Sequence, residues 1–238
     1  MKQILIKTSV LLSFTVAACT QDVVVETTQN YDNGELLQEL SITGKDFQFE
    51  NETRSSVTIG ESGASFTWDE DDVIGIFPDK GDQVSFAMEQ GAGTQTATFT
   101  GGGWALKSSA KYAAYYPHVY ENRVLTKIPV SYVGQTQNGN ANTDHIGAYD
   151  FMAASVTTPS NGAVAFDMQH LGALVQLTVN VAEPSELIRI YLSSETDFVL
   201  SGTIDLSTTT PTVNATRWSK SFTIGLSNIV RTCVIMAE

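Results

Sequence analysis

The feature that most constrains the fold is a series of short apolar alternations, each about as long as a β-strand. In the first half of the chain they occur at Phe47/Phe49, Val57/Ile59, Phe66/Trp68, Val73 to Phe77, Val84/Phe86, Ala97/Phe99 and Tyr112 to Tyr116. Clusters of Gly, Asp, Asn and Ser separate them, and these residues favour turns. Because no amphipathic helix of crossover length intervenes, the series predicts an all-β sandwich or barrel rather than a parallel sheet.

The same pattern continues in the second half of the chain. Asn161-Gly162 is typical of a hairpin turn, and Val175, Leu177, Val179 and Val181 alternate with polar residues, as in a half-buried strand. Further strands are predicted at Leu187 to Leu192, Phe198 to Leu200, Thr203 to Leu206 and Phe222 to Leu226. A second β domain therefore begins near residue 160. A sandwich usually needs about 100 residues, so we expect this second domain to be small or truncated.

Two polar stretches lack the apolar alternation. Residues 20–44 are interpreted as a linker or pro-segment, with a short helical turn over Glu35 to Leu40. Residues 134–147 are rich in Asn and Gln and poor in apolar side chains. Because such a segment has little to bury, the sequence predicts a long exposed loop there.

Charge and composition narrow the possible partners. The chain of 238 residues is 42% hydrophobic and 16% charged, with a formal net charge of -13 and a pI of about 4.5. A negative field repels phosphate backbones, so a nucleic-acid partner is excluded.

The N-terminus has the parts of an export signal. Lys2 and Lys7 precede an apolar run from Thr8 to Val16, which is too short to remain as a membrane-spanning helix. The sequence Val16-Ala17-Ala18-Cys19 resembles the bacterial lipobox. This resemblance implies that residues 1–18 are a lipoprotein signal peptide and that Cys19 becomes the acylated (palmitate-bearing) first residue. The alternative is an ordinary signal peptide with an incidental cysteine.

No arrangement of residues predicts catalysis or a metal site. The acidic run Asp69 to Asp72 has Lys80, not Glu, at the twelfth position of a calcium loop, so an acidic turn is favoured. The histidines His118, His145 and His170 are dispersed, which favours a structural role for His170. No nucleophile lies beside a base in a known motif. We therefore predict a protein that is not an enzyme and has no cofactor.

The aromatic residues leave a binding role open. Trp68, Trp104 and Trp218, together with eight tyrosines, could form a surface on which sugar rings stack. All three tryptophans fall on or beside predicted strands, where filling a core is the commoner use.

Three groups of segments, taken in order, resemble the fimbrillin family, the type V pilins of Gram-negative anaerobes. The segments are Glu52 to Ser56 with Phe66 to Phe77, then Tyr112 to Pro117, then Asp150 to Ala154 with Val164 to Phe166 and His170 to Val175. The first group is similar to the family's Thr-Arg step followed by a Trp, an acidic turn and an Ile-Gly-Ile-Phe strand. Order and spacing match across about residues 47–206, which is most of the mature chain.

The resemblance implies two tandem β-sandwich domains of transthyretin-like, Greek-key type, here residues 45–159 and 160–238. It implies a shaft or tip subunit of a surface fimbrium, exported to the outer membrane as a lipoprotein and active in adhesion. It further implies that a trypsin-like protease cuts after an arginine and that a donor strand from a neighbouring subunit fills the groove that opens. Arg54 is the candidate cleavage position, and the alternative is a surface arginine in a turn.

The partners expected on this basis are other fimbrillin subunits, the outer membrane through the lipid, and a glycan or protein on a host or bacterial surface. The alternative function is a monomeric outer-membrane lipoprotein that binds glycans on its sandwich surface.

Overall fold

The computed structural model describes residues 20–24, 36–37, 40–45, 57–60, 63–101, 106–107, 110–159, 164, 166–178, 188–227 and 232–237. The predicted sites Cys19 and Arg54 lie outside these residues, as do the Phe47/Phe49 strand, the Asn161-Gly162 turn and Trp104.

The described residues form strands and one short 3-10 helix, so the all-β prediction is confirmed. The strands are β1 (Thr20–Val24), β2 (Leu36–Leu37), β3 (Leu40–Lys45), β4 (Val57–Gly60), β5 (Gly63–Phe66), β6 (Val73–Pro78), β7 (Val84–Gln90), β8 (Ala97–Thr100), β9 (Leu106–Lys107), β10 (Tyr112–Tyr116), β11 (Ile128–Ser131), β12 (Thr136–Asn138), β13 (Met152–Thr157), β14 (Phe166–His170), β15 (Ala173–Thr178), β16 (Arg189–Ile204), β17 (Val213–Ser227) and β18 (Thr232–Ala237). The 3-10 helix spans Ile146–Tyr149.

Eight of the strands form a sheet that closes on itself, in the order β1-β14-β13-β10-β6-β7-β8-β3 and back to β1. We call it the closed sheet. Every pairing within it is antiparallel. Its interior is an apolar cluster, which we call the inner core. The largest members of this cluster are Trp68, Ile74, Ile76, Phe86, Phe99, Tyr112, Tyr116, Phe166 and Met168.

The centre of the closed sheet is buried on both faces. In β10, Tyr112, Ala114 and Tyr116 belong to the inner core, whereas Ala113 and Tyr115 point the other way into a second cluster. Successive side chains of a strand alternate between faces, so one strand serves two cores. Gly75 of β6 makes room for this arrangement, because a Cβ built there would lie 2.1 Å from the Tyr115 ring.

The second cluster, the outer core, lies between the closed sheet and two smaller sheets. One has four strands in the order β11-β16-β17-β12, in which the β12–β17 pair is parallel, and the other has two, β15 and β18. Leu200, Ile204, Phe222 and Ile224 of the long β16–β17 hairpin pack in this cluster with Ile235 of β18.

Two predictions about polar stretches are wrong. The described residues of the predicted helical turn over Glu35 to Leu40 are strand residues: Leu36 and Leu37 form β2, and Leu40 begins β3, which joins the closed sheet. Residues 134–147 are not a simple exposed loop, because they include β12 and the start of the 3-10 helix. Gln135 and Gln137 are buried there, since hydrogen bonds to backbone atoms satisfy their amides.

The division into tandem sandwiches at residues 159 and 160 stays a prediction, as does the role of residues 19–44 as a linker or pro-segment. β14, which follows residue 160, pairs with β13 and β1 of the closed sheet.

Candidate strand-exchange site

The N-terminal strands β1 and β3 complete the closed sheet. β1 pairs with β14, with Thr20 opposite Gln169 and Val23 opposite Phe166. On its other side β1 pairs with β3, which in turn pairs with β8. Without β1 and β3, the remaining six strands would form an open sheet whose two edges are β14 and β8.

The side chains beside this closure are apolar and fully buried. Phe99 and Ala97 of β8 are 0% and 1% exposed, and Phe166 and Met168 of β14 are 0% and 1% exposed. Phe99 packs edge-on against Trp68 at 4.9 Å between ring centroids. Removing the strands at the closure would therefore leave a gap lined by aromatic and aliphatic side chains.

The two predicted site residues flank the closure in the sequence. Cys19 immediately precedes β1, and Arg54 lies between the end of β3 at Lys45 and the start of β4 at Val57. A backbone cut after Arg54 would leave β1, β2 and β3 joined to the rest of the chain by non-covalent contacts alone.

The acidic run at residues 69–72 forms a turn, as the sequence predicts. The Asp69 carbonyl accepts a hydrogen bond from the Asp72 backbone N–H at 3.1 Å, and the Asp69 N–H donates to Asp72 Oδ2 at 2.8 Å. Asp72 Oδ1 accepts from the Tyr116 hydroxyl at 2.7 Å. The carboxylate of Asp72 therefore links this turn to β10. No group of three or more His, Cys, Asp or Glu suited to a metal occurs in the described part of the chain.

His170 has the structural role that its sequence position favours. Its Nδ1 lies 2.5 Å from Oδ1 of Asp150, which is fully buried, and its ring stacks at a tilt on Phe66 with 4.5 Å between centroids. His170 ends β14, so this contact fixes one end of the strand beside the closure. Sequence reasoning did not find Asp150, because the two residues come together only through the pairing of β13 and β14.

A hydrogen-bonded cluster around Tyr115 holds the loop that follows β10. The Tyr115 hydroxyl donates to Gln83 Oε1 at 2.5 Å and accepts from the Val119 N–H at 3.1 Å. Gln83 Nε2 donates to the carbonyls of Val119 at 2.7 Å and Asn122 at 2.6 Å. Burial raises the pKa of Tyr115, and the hydrogen bonds to this hydroxyl, together with the charge of Arg123, oppose the shift only in part.

The pKa of His118 in the same loop is lowered. Partial burial is the main cause, the positive charge of Arg123 adds to it, and the negative charge of Glu121 opposes it. Arg123 also lies over the Tyr120 ring, 5.3 Å from its centroid.

The tryptophans do not form a shared surface in the part of the chain that the structure describes. Trp68 is fully buried, whereas Trp218 of β17 is 59% exposed. The exposed Tyr191 does not lie beside Trp218 either. Tyr191 pairs with Thr223, and Thr223 is five residues, or roughly 17 Å at the rise of a strand, from Trp218 along β17. The glycan-binding alternative stays a prediction.

The described residues contain no helix long and apolar enough to cross a membrane.

The protein is thus an all-β chain built around a closed sheet, and its own N-terminal strands β1 and β3 complete that sheet. A family model described as fimbrillin-like matches residues 53–236, which is most of the chain. The chain therefore belongs to the fimbrillin-like family, a family of structural pilus proteins that assemble with other pilin subunits at the cell surface. No curated relative matches the chain.

Proposed function

We propose that this protein is a pilus subunit that assembles by exchanging the N-terminal strands of its closed sheet for a strand of a neighbouring subunit. The observation that carries the proposal is the position of β1 and β3, which close the sheet between β14 and β8 and precede Arg54 in the chain. The fimbrillin-like match begins at residue 53 and so excludes both strands.

The first step is export and tethering. The signal peptide of residues 1–18 directs the chain across the inner membrane, and acylation of Cys19 anchors it in the outer membrane. β1 begins at the next residue, so the lipid is attached to the segment that later leaves.

The second step is cleavage after Arg54 by a trypsin-like protease. The cut separates β1–β3, with the lipid, from the covalent chain. Loss of these strands exposes the main-chain edges of β14 and β8 and uncovers part of Phe99 and Phe166. Burying such a side chain contributes about 1.5–3 kcal/mol, so the open subunit has a strong driving force to bind a replacement strand.

The third step is strand addition. An extended segment of a neighbouring subunit fits the gap because main-chain hydrogen bonds supply affinity and the apolar gap accepts alternate side chains. Repetition of this step builds a filament, and the exposed surface of the filament mediates adhesion.

The test is treatment of the purified full chain with an arginine-specific protease. We expect a new N-terminus at Ser55, followed by an SDS-resistant ladder on unboiled gels. Arg54→Ala should abolish both, whereas the matched control Arg217→Ala, which removes an exposed arginine of β17, should leave both unchanged. A ladder that forms equally well from Arg54→Ala would contradict the role of the cut.

A second arm of the test addresses the gap itself. A synthetic peptide of residues 20–45, added in excess at the time of cleavage, should refill the space between β14 and β8 and suppress the ladder. A scrambled peptide of the same composition is the control. If the two peptides suppress the ladder equally, or neither does, β1 and β3 do not occupy the position that the donor strand takes during assembly.

A further inference from the structure

Gln135 joins the two smaller sheets that cover the outer core, β11-β16-β17-β12 and β15-β18, which we call the outer layer. Its Nε2 donates to the Met236 carbonyl at 2.6 Å and to the Tyr132 carbonyl at 2.9 Å, and its Oε1 accepts from the Met236 N–H at 3.0 Å. The Gln135 backbone carbonyl accepts from the Gly225 N–H of β17 at 3.0 Å. Gln135 is 1% exposed, so these bonds form away from water.

The contact with Met236 lies on the outer edge of β18. β15 and β18 are antiparallel, with Leu174 opposite Met236. In an antiparallel pair, the N–H and C=O of one residue point to the same side. Since the Met236 N–H donates to Gln135, both groups point away from β15. The Gln135 amide thus stands where the peptide group of another strand would stand.

We propose that Gln135 is a latch on β18: its side-chain amide takes the place of a neighbouring strand, retains β18 in its own chain, and keeps that edge closed to strand addition by another fimbrillin subunit. The chemistry of the edge identifies the partner as extended backbone, because the groups that Gln135 satisfies are one donor and one acceptor on the same residue. This inference rests on the proposed function in one respect: the strand that would add to β18 is taken to come from another pilin subunit.

The first variant is Gln135→Met, which keeps the approximate volume and the backbone bond to Gly225 but removes the amide. Gln137→Met is the matched control, since Gln137 is also buried in this segment and its Nε2 donates to the carbonyl of Gly139, two residues away, at 2.7 Å. Hydrogen exchange is measured on the purified full chain. We expect the Met236 amide and its neighbours in β18 to exchange at least tenfold faster in Gln135→Met, while β6 and β7 keep their protection.

The same samples are examined by light scattering over a range of concentrations. We expect Gln135→Met to self-associate at concentrations where the wild type and Gln137→Met remain monomeric. Unchanged protection of Met236, or an equal loss of protection in all strands, would overturn the latch. Faster exchange in β18 with a strictly monomeric variant would overturn the assignment of this edge as a site of strand addition.

Gln135→Glu is the second variant and tests hydrogen bonding apart from volume. A protonated carboxylic acid offers an acceptor for the Met236 N–H and one donor for the Met236 carbonyl, although it lacks the second donor of the amide, whereas a carboxylate offers no donor to that carbonyl. The protection factor of β18 should therefore be near that of the wild type at about pH 4 and fall at least tenfold by about pH 8, with no such fall in the wild type. Equal protection factors at both pH values would overturn the proposal.

Failure of the latch and failure of the proposed function are distinguishable. Exchange in β18 is measured on the uncut monomer, whereas the ladder depends on Arg54 and on β1 and β3. Each result stands without the other.

Discussion

The closed sheet and the outer layer stabilise their strands in different ways. In the closed sheet, each strand has a hydrogen-bonded neighbour on both sides, and the inner core is made of fully buried side chains such as Trp68 and Phe99. In the outer layer, β15 and β18 form a two-stranded sheet, and Leu174, Val175 and Leu177 are only partly buried. One chain thus combines a sheet without edges with a two-stranded sheet, β15-β18, on whose outer edge the Gln135 side chain bonds to Met236.

The largest expected effect tests this difference in packing. Phe99→Ala should lower the free energy of unfolding by about 3–5 kcal/mol, because it leaves a cavity in the inner core. Phe198→Ala in the outer core should cost about 1–2 kcal/mol, since Phe198 is only partly buried. Urea denaturation of both variants measures the contrast, and equal losses would show that the difference in burial between Phe99 and Phe198 does not set the cost.

The interface between the two cores is tested at Gly75. Gly75→Ala places a methyl group against the Tyr115 ring and should cost about 1–3 kcal/mol. Ser85→Ala is the control, because Ser85 stands opposite Gly75 on β7 and is exposed. Thermal unfolding followed by circular dichroism would decide the matter, and a Gly75→Ala variant as stable as the control would mean that Tyr115 relocates freely.

A smaller effect is expected at high pH from Tyr115. Its pKa is raised in the folded state, so above about pH 10 the unfolded chain loses this proton while the folded chain keeps it. Stability should therefore be unaffected below that pH and decline above it. In Tyr115→Phe the decline should be shallower, although the variant loses about 1 kcal/mol at pH 7 with the bond to Gln83. A parallel decline in both proteins would assign the effect to other groups.

The smallest effect concerns His118. Its pKa is lowered in the folded state, so as the pH falls below about 6.5 the unfolded chain takes up a proton before the folded chain does. Stability should fall modestly from that point toward lower pH, and His118→Gln should remove this part of the dependence. Urea midpoints at a series of pH values measure it, and identical profiles for the two proteins would exclude His118 as the cause.

The sequence predicted the strands whose side chains show a clear apolar pattern. Val73 to Phe77 and Tyr112 to Tyr116 lie within β6 and β10. These segments were predictable because a short run of apolar residues, as long as a strand, indicates a buried strand. The fimbrillin resemblance is likewise confirmed by the family match over residues 53–236.

The features that the sequence did not predict depend on distant pairing. The sequence interpretation assigned residues 20–44 to a linker because most of them are polar, and only the registers with β14 and β8 reveal β1 and β3 as members of the closed sheet. The sequence did not predict that Gln135 is buried, for a related reason. A rule that counts apolar residues assigns glutamines to the surface, whereas the amide of Gln135 forms hydrogen bonds with the backbone of β18 and can therefore be buried. The lipid site at Cys19 and the cleavage site at Arg54 stay predictions.

The register of β1 has a consequence for the order of folding. Thr20, at the start of the described chain, pairs with Gln169, so the ladder that completes the sheet joins points separated by most of the polypeptide. Such long-range contacts form slowly, because the loop between them must first lose its conformational freedom. A chain synthesised from its N-terminus can therefore pair β1 with the nearby β3 early, but the other side of β1 has no partner until β14 has followed, so the sheet closes late.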